Sequence, residues 1–240
     1  MFYTASRCGH LPKGSSVVAR VSAARSSIYG IGLRLLRRGA PVMQDQLDLF
    51  RDERWRPRFP ERLFFCLLPD RGSATKIARF STVFRRENAI QGDVLKPGRL
   101  HVSLYHVGDY KRLPTHKVYA SELAARTIGG QAFEVTFSSV GSFRPAPKRG
   151  GGERKHPLVL LAEAGSLQRL HEALVEAMRG HGLRAADTFK PHMTLAYCPG
   201  PVPFQSIGPI RFKAKAFTLI HSERGLGRYH EKGRWPLADA

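Results

Sequence analysis

Cysteine is scarce in this sequence. Cys8, Cys66 and Cys198 are the only three in 240 residues, and no two of them form a Cys-x-x-Cys pair. An odd, unpaired set excludes a disulfide framework and argues against a zinc ribbon. It favours a reducing compartment, for which we expect the cytoplasm, and Cys66 is predicted to pack in a core.

Long apolar stretches are also missing. No run approaches the roughly 18 to 20 residues that a membrane-spanning helix needs, so no membrane partner is expected. Hydrophobic residues still make up 42% of the chain, which is ordinary for a globular protein. The length allows one large domain or two small lobes with a real core.

Acidic residues are the third scarce group. Nineteen Asp and Glu stand against 39 Lys and Arg, which leaves a formal charge of +20. Such an excess predicts a polyanionic partner, with nucleic acid as the first hypothesis. Two alternatives weaken this reading, because Arg-rich usage can follow from GC-rich coding and part of the excess lies in an N-terminal segment.

That segment, residues 1–42, contains seven basic residues, six Ser and no acid. It fits a transit peptide, a disordered basic arm, or an upstream extension with Met43 as the true start. We favour the extension, because the residues after Met43 resemble an ordinary bacterial N-terminus. The predicted organisation is an extension at 1–42, a linker at 43–60 and one domain at 61–240.

Periodicity predicts an alternation of strands and helices within that domain. The helix at 166–179 is predicted to be capped by Ser166, with His171 in solvent. A basic loop at 144–155 either tracks a phosphate backbone or is simply solvated. The strands are predicted at 62–68, 100–107, 133–140, 158–162, 193–197, 210–220 and 227–235, and the helices at 73–87, 115–126 and 166–179.

One short motif occurs twice. His101-Val-Ser-Leu104 and His192-Met-Thr-Leu195 both read as His, any residue, Ser or Thr, hydrophobic, and each lies in a predicted strand. Side chains two apart share one face of a strand, so each motif projects an imidazole and a hydroxyl together. Packing the two strands side by side around a pseudo-twofold axis would bring both pairs into one cleft.

This set of groups suits phosphodiester hydrolysis. A neutral imidazole can take a proton from water, an imidazolium can protonate the leaving ribose oxygen, and hydroxyls can bind the non-bridging oxygens. A strained 2′,3′-cyclic phosphate needs no metal. No carboxylate stands beside either histidine and hydroxyls are poor zinc ligands, so neither a metal nor a cofactor is predicted.

The motifs resemble those of the 2H phosphoesterases, and most closely the RNA 2′,3′-cyclic phosphodiesterases, also called 2′-5′ RNA ligases. The apolar opening at 62–69, the second motif within 189–196 and the ending at 217–237 are similar to that branch. The resemblance implies an α+β, two-lobed, pseudo-twofold fold, with two mainly antiparallel sheets facing across a cleft and helices outside. A monomer acting on RNA ends or cyclic nucleotides is expected.

The resemblance also implies roles. His101 and His192 are the expected catalytic pair, with His101 protonating O3′ and His192 activating water to leave a 2′-phosphate. Ser103 and Thr194 are the expected phosphate-binding residues. Ligation to a 2′-5′ bond is the reverse direction, in which the two histidines exchange roles.

Two positions depart from the resemblance. Many members have Arg where this chain has Tyr197, and strand alternation predicts that Tyr197 points away from His192. Alternation also places Tyr105 on the face of His101, either to stack on a base or ribose or to pack across strands, and it makes His106 structural. Two alternative functions stay open: a non-catalytic RNA- or nucleotide-binding module, and a phosphodiesterase for a small molecule such as ADP-ribose cyclic phosphate.

Overall fold

The computed structural model describes residues 56–145, 155–184 and 189–239. The predictions for 1–42, for most of the linker and for most of the basic loop lie outside the described residues. The described elements, in chain order, are β1 (Glu61–Leu67), α1 (Arg71–Glu87), β2 (Asp93–Val94), β3 (Val102–Tyr110), α2 (Thr115–Arg126), β4 (Phe133–Ser142), β5 (His156–Ala162), α3 (Gly165–Gly180), β6 (His192–Cys198), β7 (Gln205–Ala214), β8 (Ala216–Glu223) and β9 (Arg228–Pro236).

Local sequence signals account for the helix ends. The Asp70 carboxylate accepts a hydrogen bond from the Ser73 amide at 3.0 Å and so caps α1. Helix α3 begins at Gly165 after an N-cap at Ala164, so the predicted cap at Ser166 is wrong. The apolar stripe of α3 is buried as predicted.

His171 on α3 is buried, and the prediction that it lies in solvent is wrong. Its Nδ1 is 2.8 Å from the carbonyl oxygen of Leu104, and its ring stacks on Phe189 with centroids 4.2 Å apart. The stripe pattern missed this contact because a polar ring can be buried wherever a backbone carbonyl accepts from it.

The strands form one sheet with the order β7-β4-β5-β6-β3-β1-β8-β9, and β2 pairs with β6. The described pairs of neighbouring strands are all antiparallel. With the helices, this confirms the predicted α+β class. The sheet has two lobes: β3, β1, β8 and β9 form the first, and β7, β4, β5 and β6, with the short β2 paired to β6, form the second.

Within the sheet, a single described residue pair joins the lobes. Val102 on β3 pairs with Met193 on β6, and both side chains are fully buried. The two expected sheets are therefore continuous at this one point. Each joining residue stands between the histidine and the hydroxyl of its motif, so the junction of the lobes is also the junction of the motifs.

The predicted strand at 210–220 is two strands, which belong to different lobes. Strand β7 ends at Ala214 and pairs with β4, whereas β8 starts at Ala216 and pairs with β1 and β9. Apolar residues continue on both sides of Lys215, so the pattern contains no sign of the break. The chain returns to the first lobe here, which completes the cleft.

The main hydrophobic core lies on the helix side of the sheet. Helices α2 and α3 pack on each other and against β9 and β3, whereas α1 packs against β6 and β7. A smaller buried cluster of Phe64, Cys66 and Ile220 lies on the other face of the first lobe. The prediction that Cys66 is buried packing is confirmed.

Candidate active site

The first motif strand contains a β-bulge. Phe65 pairs with Tyr105 and the next residue, Cys66, pairs with Ser103, which leaves Leu104 as the extra residue. A bulge puts two residues opposite one and so reverses the alternation of faces beyond it. Simple alternation therefore predicts the correct face for residues before Leu104 and the wrong face for the residues that follow it.

The second motif strand contains the equivalent bulge. Leu158 pairs with Ala196 and Val159 pairs with Thr194, which leaves Leu195 as the extra residue. Each bulge is thus the hydrophobic residue of its motif. The two strands are equivalent down to this irregularity, which agrees with a pseudo-twofold relation between the motifs.

The bulge overturns the face predictions for the first motif. Tyr105 is 2% exposed, belongs to the core and donates its hydroxyl to the carbonyl of Arg184. Its predicted contact with a base or ribose does not fit this position. His106, interpreted as structural, is exposed and lines the cleft instead.

The second bulge does the same for Tyr197. Its side chain is 43% exposed and lines the cleft on the side of His192, so the prediction that it points away is wrong. The neighbouring Ala196 takes the buried position. His106 and Tyr197 are therefore equivalent positions, each five residues after its motif histidine.

One cavity of about 790 Å³ contains all four motif side chains. His101 and Ser103 reach it from the first lobe, and His192 and Thr194 reach it from the second. The structure therefore brings the four predicted residues together, as expected from period-two geometry before each bulge. A cavity of this size accommodates a nucleotide-sized ligand.

The two imidazoles are held in the same way. Nδ1 of His101 is 2.8 Å from the carbonyl oxygen of Arg99, and Nδ1 of His192 is 2.7 Å from that of Lys190. A carbonyl only accepts, so Nδ1 carries the proton and donates it in both residues. Nε2 of each ring has no hydrogen-bond partner among the described residues and remains for proton transfer in the cavity.

Aromatic rings hold His101 in place. Tyr229 meets it edge-on with centroids 5.9 Å apart, and Phe64 packs at 5.1 Å. The guanidinium carbon of Arg99 lies 4.6 Å from the centroid of the Tyr229 ring. Arg99 therefore has two roles: its carbonyl accepts the hydrogen bond from His101, and its cationic side chain lies on the ring of Tyr229.

The second lobe repeats this arrangement. Phe143 meets His192 edge-on at 5.0 Å, and Nζ of Lys190 lies 4.8 Å from the centroid of Phe143. A basic residue two positions before each histidine therefore supplies both the carbonyl and the cation. The pattern is basic, any residue, His, and it precedes both motifs in the sequence.

The surroundings lower the pKa of both histidines. Burial is the main cause for His101, opposed by its hydrogen bond to the Arg99 carbonyl, and the charges of Arg99, His192 and Arg62 lower this pKa further. Burial also lowers the pKa of His192, together with the charge of Lys190. Both rings are therefore mainly neutral at pH 7 in the free protein, and their mutual effect couples the two titrations.

A charged cluster borders the cavity on the first lobe. The Asp109 carboxylate accepts from Nε and Nη2 of Arg62 at 2.7 and 2.8 Å and from Nη1 of Arg224 at 2.9 Å. Nε2 of His106 lies 3.0 Å from the same carboxylate. The hydrogen bonds from Arg62 and His106 and the charges of Arg62 and Arg224 outweigh burial and hold the pKa of Asp109 far below its usual range.

No metal site is evident in the part of the chain that the structure describes. None of its groups of His, Cys, Asp and Glu side chains is arranged to hold an ion. Within the same residues, no helix has both the length and the apolar content needed to cross a membrane.

The profile of the 2′-5′ RNA ligase superfamily matches residues 69–226, well over half of the chain. The chain belongs to this superfamily. The matched span contains both motifs, and the resemblance to 2H phosphoesterases inferred from them is confirmed. No curated protein is significantly similar to this superfamily member in sequence.

Solved structures share the fold of this superfamily member. TT0787 of Thermus thermophilus is 22% identical, with a TM-score of 0.57 over 74% of this chain and 98% of its own. Escherichia coli LigT without ligand is 23% identical, with a TM-score of 0.57 over 75% of this chain and 98% of its own. LigT complexed with 3′-AMP is 25% identical, with a TM-score of 0.55 over 74% and 98%.

Sequence reasoning missed several residues of the site. Arg62 stands one residue before the apolar stretch of β1, and Asp109 stands beyond the first motif, so only the antiparallel register of β1 and β3 joins them. Lys190 and Arg99 had a usable signal, which is the repeated basic residue two positions before each histidine. The two edge-on aromatic rings had no such signal, because Tyr229 on β9 and Phe143 just after β4 are distant in sequence from the histidines that they contact.

Proposed function

We propose that this protein hydrolyses 2′,3′-cyclic phosphates at RNA ends to 2′-phosphates with His101 and His192 and without a metal ion. The observation that carries the proposal is the matched pair of imidazoles in one cavity, each held at Nδ1 by a carbonyl. Each also has a hydroxyl two residues away on the same face. The proposal takes a monomer in the cytoplasm as the acting form.

The proposed reaction needs only these groups. Nε2 of His192 takes a proton from water as the water oxygen bonds to phosphorus, and Nε2 of His101 gives its proton to O3′ as the P–O3′ bond breaks. The products are a 2′-phosphate monoester and a free 3′-hydroxyl. Solvent then returns a proton to His101 and removes one from His192.

The hydroxyls of Ser103 and Thr194 are assigned to the non-bridging oxygens. Negative charge grows on those oxygens as the phosphorus becomes pentacoordinate, and fixed donors stabilise it most at that point. For 2′-5′ ligation, the 5′-hydroxyl of a second RNA replaces water: it gives its proton to one histidine as its oxygen bonds to phosphorus, and O3′ takes a proton from the other as the P–O3′ bond breaks. In the reverse cleavage of the 2′-5′ bond, the two histidines exchange roles. The equivalent hydrogen bonds of the two histidines support this exchange.

The likeness to LigT supports a nucleotide ligand. LigT has been solved in complex with 3′-AMP, a nucleoside monophosphate, at 25% identity to this chain. The cavity here combines both motif pairs with arginines and exposed Tyr197 at its border. We therefore assign the phosphate to the motifs and the nucleoside to the surrounding surface.

A substrate comparison after EDTA treatment tests the proposal. The expected result is fast turnover of oligonucleotides ending in 2′,3′-cyclic phosphate, with slower turnover of 2′,3′-cyclic mononucleotides. Preference for ADP-ribose cyclic phosphate would instead support the small-molecule alternative. Binding of the cyclic nucleotide without conversion would support the non-catalytic module and contradict the proposal.

The pH dependence of kcat/KM is a further prediction. The reaction needs one proton on the histidine pair, so the profile is expected to be bell-shaped. Because burial and neighbouring cations lower both pKa values below about 6.5, the maximum should lie below that pH. Stopped assays across the range from acidic to mildly basic pH would measure it, and a maximum on the basic side of neutrality would contradict the assignment.

A further inference from the structure

The motif side chains contain no permanent positive charge. Two neutral imidazoles and two hydroxyls face the cavity, whereas a bound phosphodiester is an anion and gains charge at its oxygens during the reaction. Four cationic side chains border the same cavity: Lys96, Arg62, Arg99 and Arg224. Their hydrogen bonds and stacking contacts differ, and these differences distinguish the four side chains.

The other three are held differently from Arg62, and none of them has a two-point contact with a carboxylate among the described residues. The Arg99 guanidinium is stacked on the ring of Tyr229, and its Nε is buried away from solvent. Nη1 of Arg224 donates to the Phe59 carbonyl at 3.1 Å as well as to Asp109. Lys96 has no hydrogen-bond partner among the described residues, so nothing fixes its ammonium group.

Arg62 is both fixed and available. Asp109 holds it by two parallel hydrogen bonds from Nε and Nη2, which set the plane of the guanidinium. Nη1 has no hydrogen-bond partner in the described part of the chain, and three of the five N–H donors of the group remain unused. The side chain is 40% exposed and lines the cavity.

Arg62 also shares the cavity with residues of both lobes. It comes from β1, directly beside the first motif strand, and its charge acts on His101. Tyr197 of the second motif strand lines the same cavity as Arg62. Position 197 faces the cleft, and it is where the resemblance predicts an arginine.

We propose that Arg62, positioned by Asp109, binds the phosphate in the cavity and supplies the positive charge that Tyr197 does not. This inference rests on the proposed function of the cavity as a phosphate site. Asp109 is a positioning residue, because it acts only through the guanidinium. A second guanidinium introduced at position 197 would enter the same space.

Equilibrium binding of 2′-AMP, the product of the simplest substrate, tests the inference without turnover. Arg62→Ala should weaken 2′-AMP binding by about 10- to 100-fold, the usual range for a lost charged hydrogen bond. Tyr197→Arg added to Arg62→Ala should restore at least about tenfold of that loss. Arg62→Lys keeps the positive charge but lacks the two parallel N–H donors of a guanidinium, so it should bind 2′-AMP with intermediate affinity.

Arg79→Ala is the matched control, because Arg79 is an exposed arginine on α1 that does not line the cavity. It should leave binding essentially unchanged. Wild-type affinity in Arg62→Ala, or an equal loss in Arg79→Ala, would overturn the inference. A double variant as weak as Arg62→Ala would overturn the link to position 197. If Arg62→Ala does not fold, wild-type affinity in Arg62→Lys would show that binding does not depend on the forked N–H donors of the Arg62 guanidinium, and would overturn the inference.

The titration of His101 separates electrostatic action from a purely structural role. Removing the Arg62 charge removes one cause that lowers the pKa of His101, so that pKa should rise in Arg62→Ala and stay unchanged in Arg79→Ala. NMR titration of the imidazole measures both. An unchanged His101 pKa in Arg62→Ala would contradict the assigned position of Arg62.

The outcomes for the function and for the inference are distinguishable. Binding of 2′-AMP that depends on Arg62, without hydrolysis of the cyclic phosphate, would overturn the proposed function and leave the inference standing. Hydrolysis that is lost in His101→Ala but unchanged in Arg62→Ala would overturn the inference and leave the function standing.

Discussion

Replacing either His101 or His192 with alanine should lower kcat/KM for a 2′,3′-cyclic phosphate by about 10²- to 10⁴-fold. Each imidazole has only Nε2 to offer, because Nδ1 is engaged by a backbone carbonyl, so alanine removes the one proton-transfer atom of its lobe. Steady-state kinetics with a cyclic mononucleotide at the pH of maximum activity would measure the loss.

The double variant should be only slightly worse than the poorer single variant. Groups that act as one unit are strongly non-additive, since neither imidazole completes the reaction alone. His116→Ala is the matched control, because His116 is an exposed histidine on α2 outside the cavity, and it should keep full activity. A single variant with nearly wild-type activity would show that its histidine does not transfer the proton.

Met193→Ala should lower the free energy of unfolding by about 2 to 5 kcal/mol. Met193 is fully buried and pairs with Val102 at the one described junction of the two lobes. Alanine would leave a cavity directly behind both motifs. Chemical denaturation monitored by fluorescence and circular dichroism would measure the change.

Met193→Leu is the control for this effect. It conserves volume and should cost less than about 1.5 kcal/mol. Since Met193 and Val102 are the chain neighbours of His192 and His101 and pair with each other, Met193→Ala should also lower kcat/KM at temperatures where the protein is fully folded. A loss of stability below about 1 kcal/mol would mean that this strand pair contributes little beside the helix contacts between the lobes.

Strand alternation within four residues was enough to predict the central part of the site. His101 with Ser103, and His192 with Thr194, lie before the bulges, and the structure brings all four side chains to one cavity. Two copies of one pattern in one chain also sufficed to identify the family. That information is local, so it could be read without a structure.

Prediction failed one residue beyond each motif, for a physical reason. A bulge is a property of the pairing between two strands, and neither Leu104 nor Leu195 differs in type from an ordinary buried strand residue. The assignments of Tyr105 and Tyr197 were consequently inverted. The register of β1 against β3, which brings Arg62 to Asp109, depends on contacts distant in sequence and was equally hidden.

The same limit applies to the point at which the chain passes from one lobe to the other. The switch at Lys215 leaves the apolar pattern intact, because both strands bury apolar residues on either side of it. Burial of His171 was hidden for a related reason, since its partner is the backbone of Leu104 on β3. Hydrophobic patterns report which faces are buried and not what they are buried against.

The most direct test of the central claim is the ³¹P NMR spectrum of uridine 2′,3′-cyclic phosphate incubated with EDTA-treated protein. The wild type should convert the cyclic phosphate signal to that of the 2′-phosphate, and His101→Ala/His192→Ala should leave the cyclic phosphate unchanged. Equal conversion by the double variant, or no conversion of any 2′,3′-cyclic phosphate by the wild type, would contradict the account.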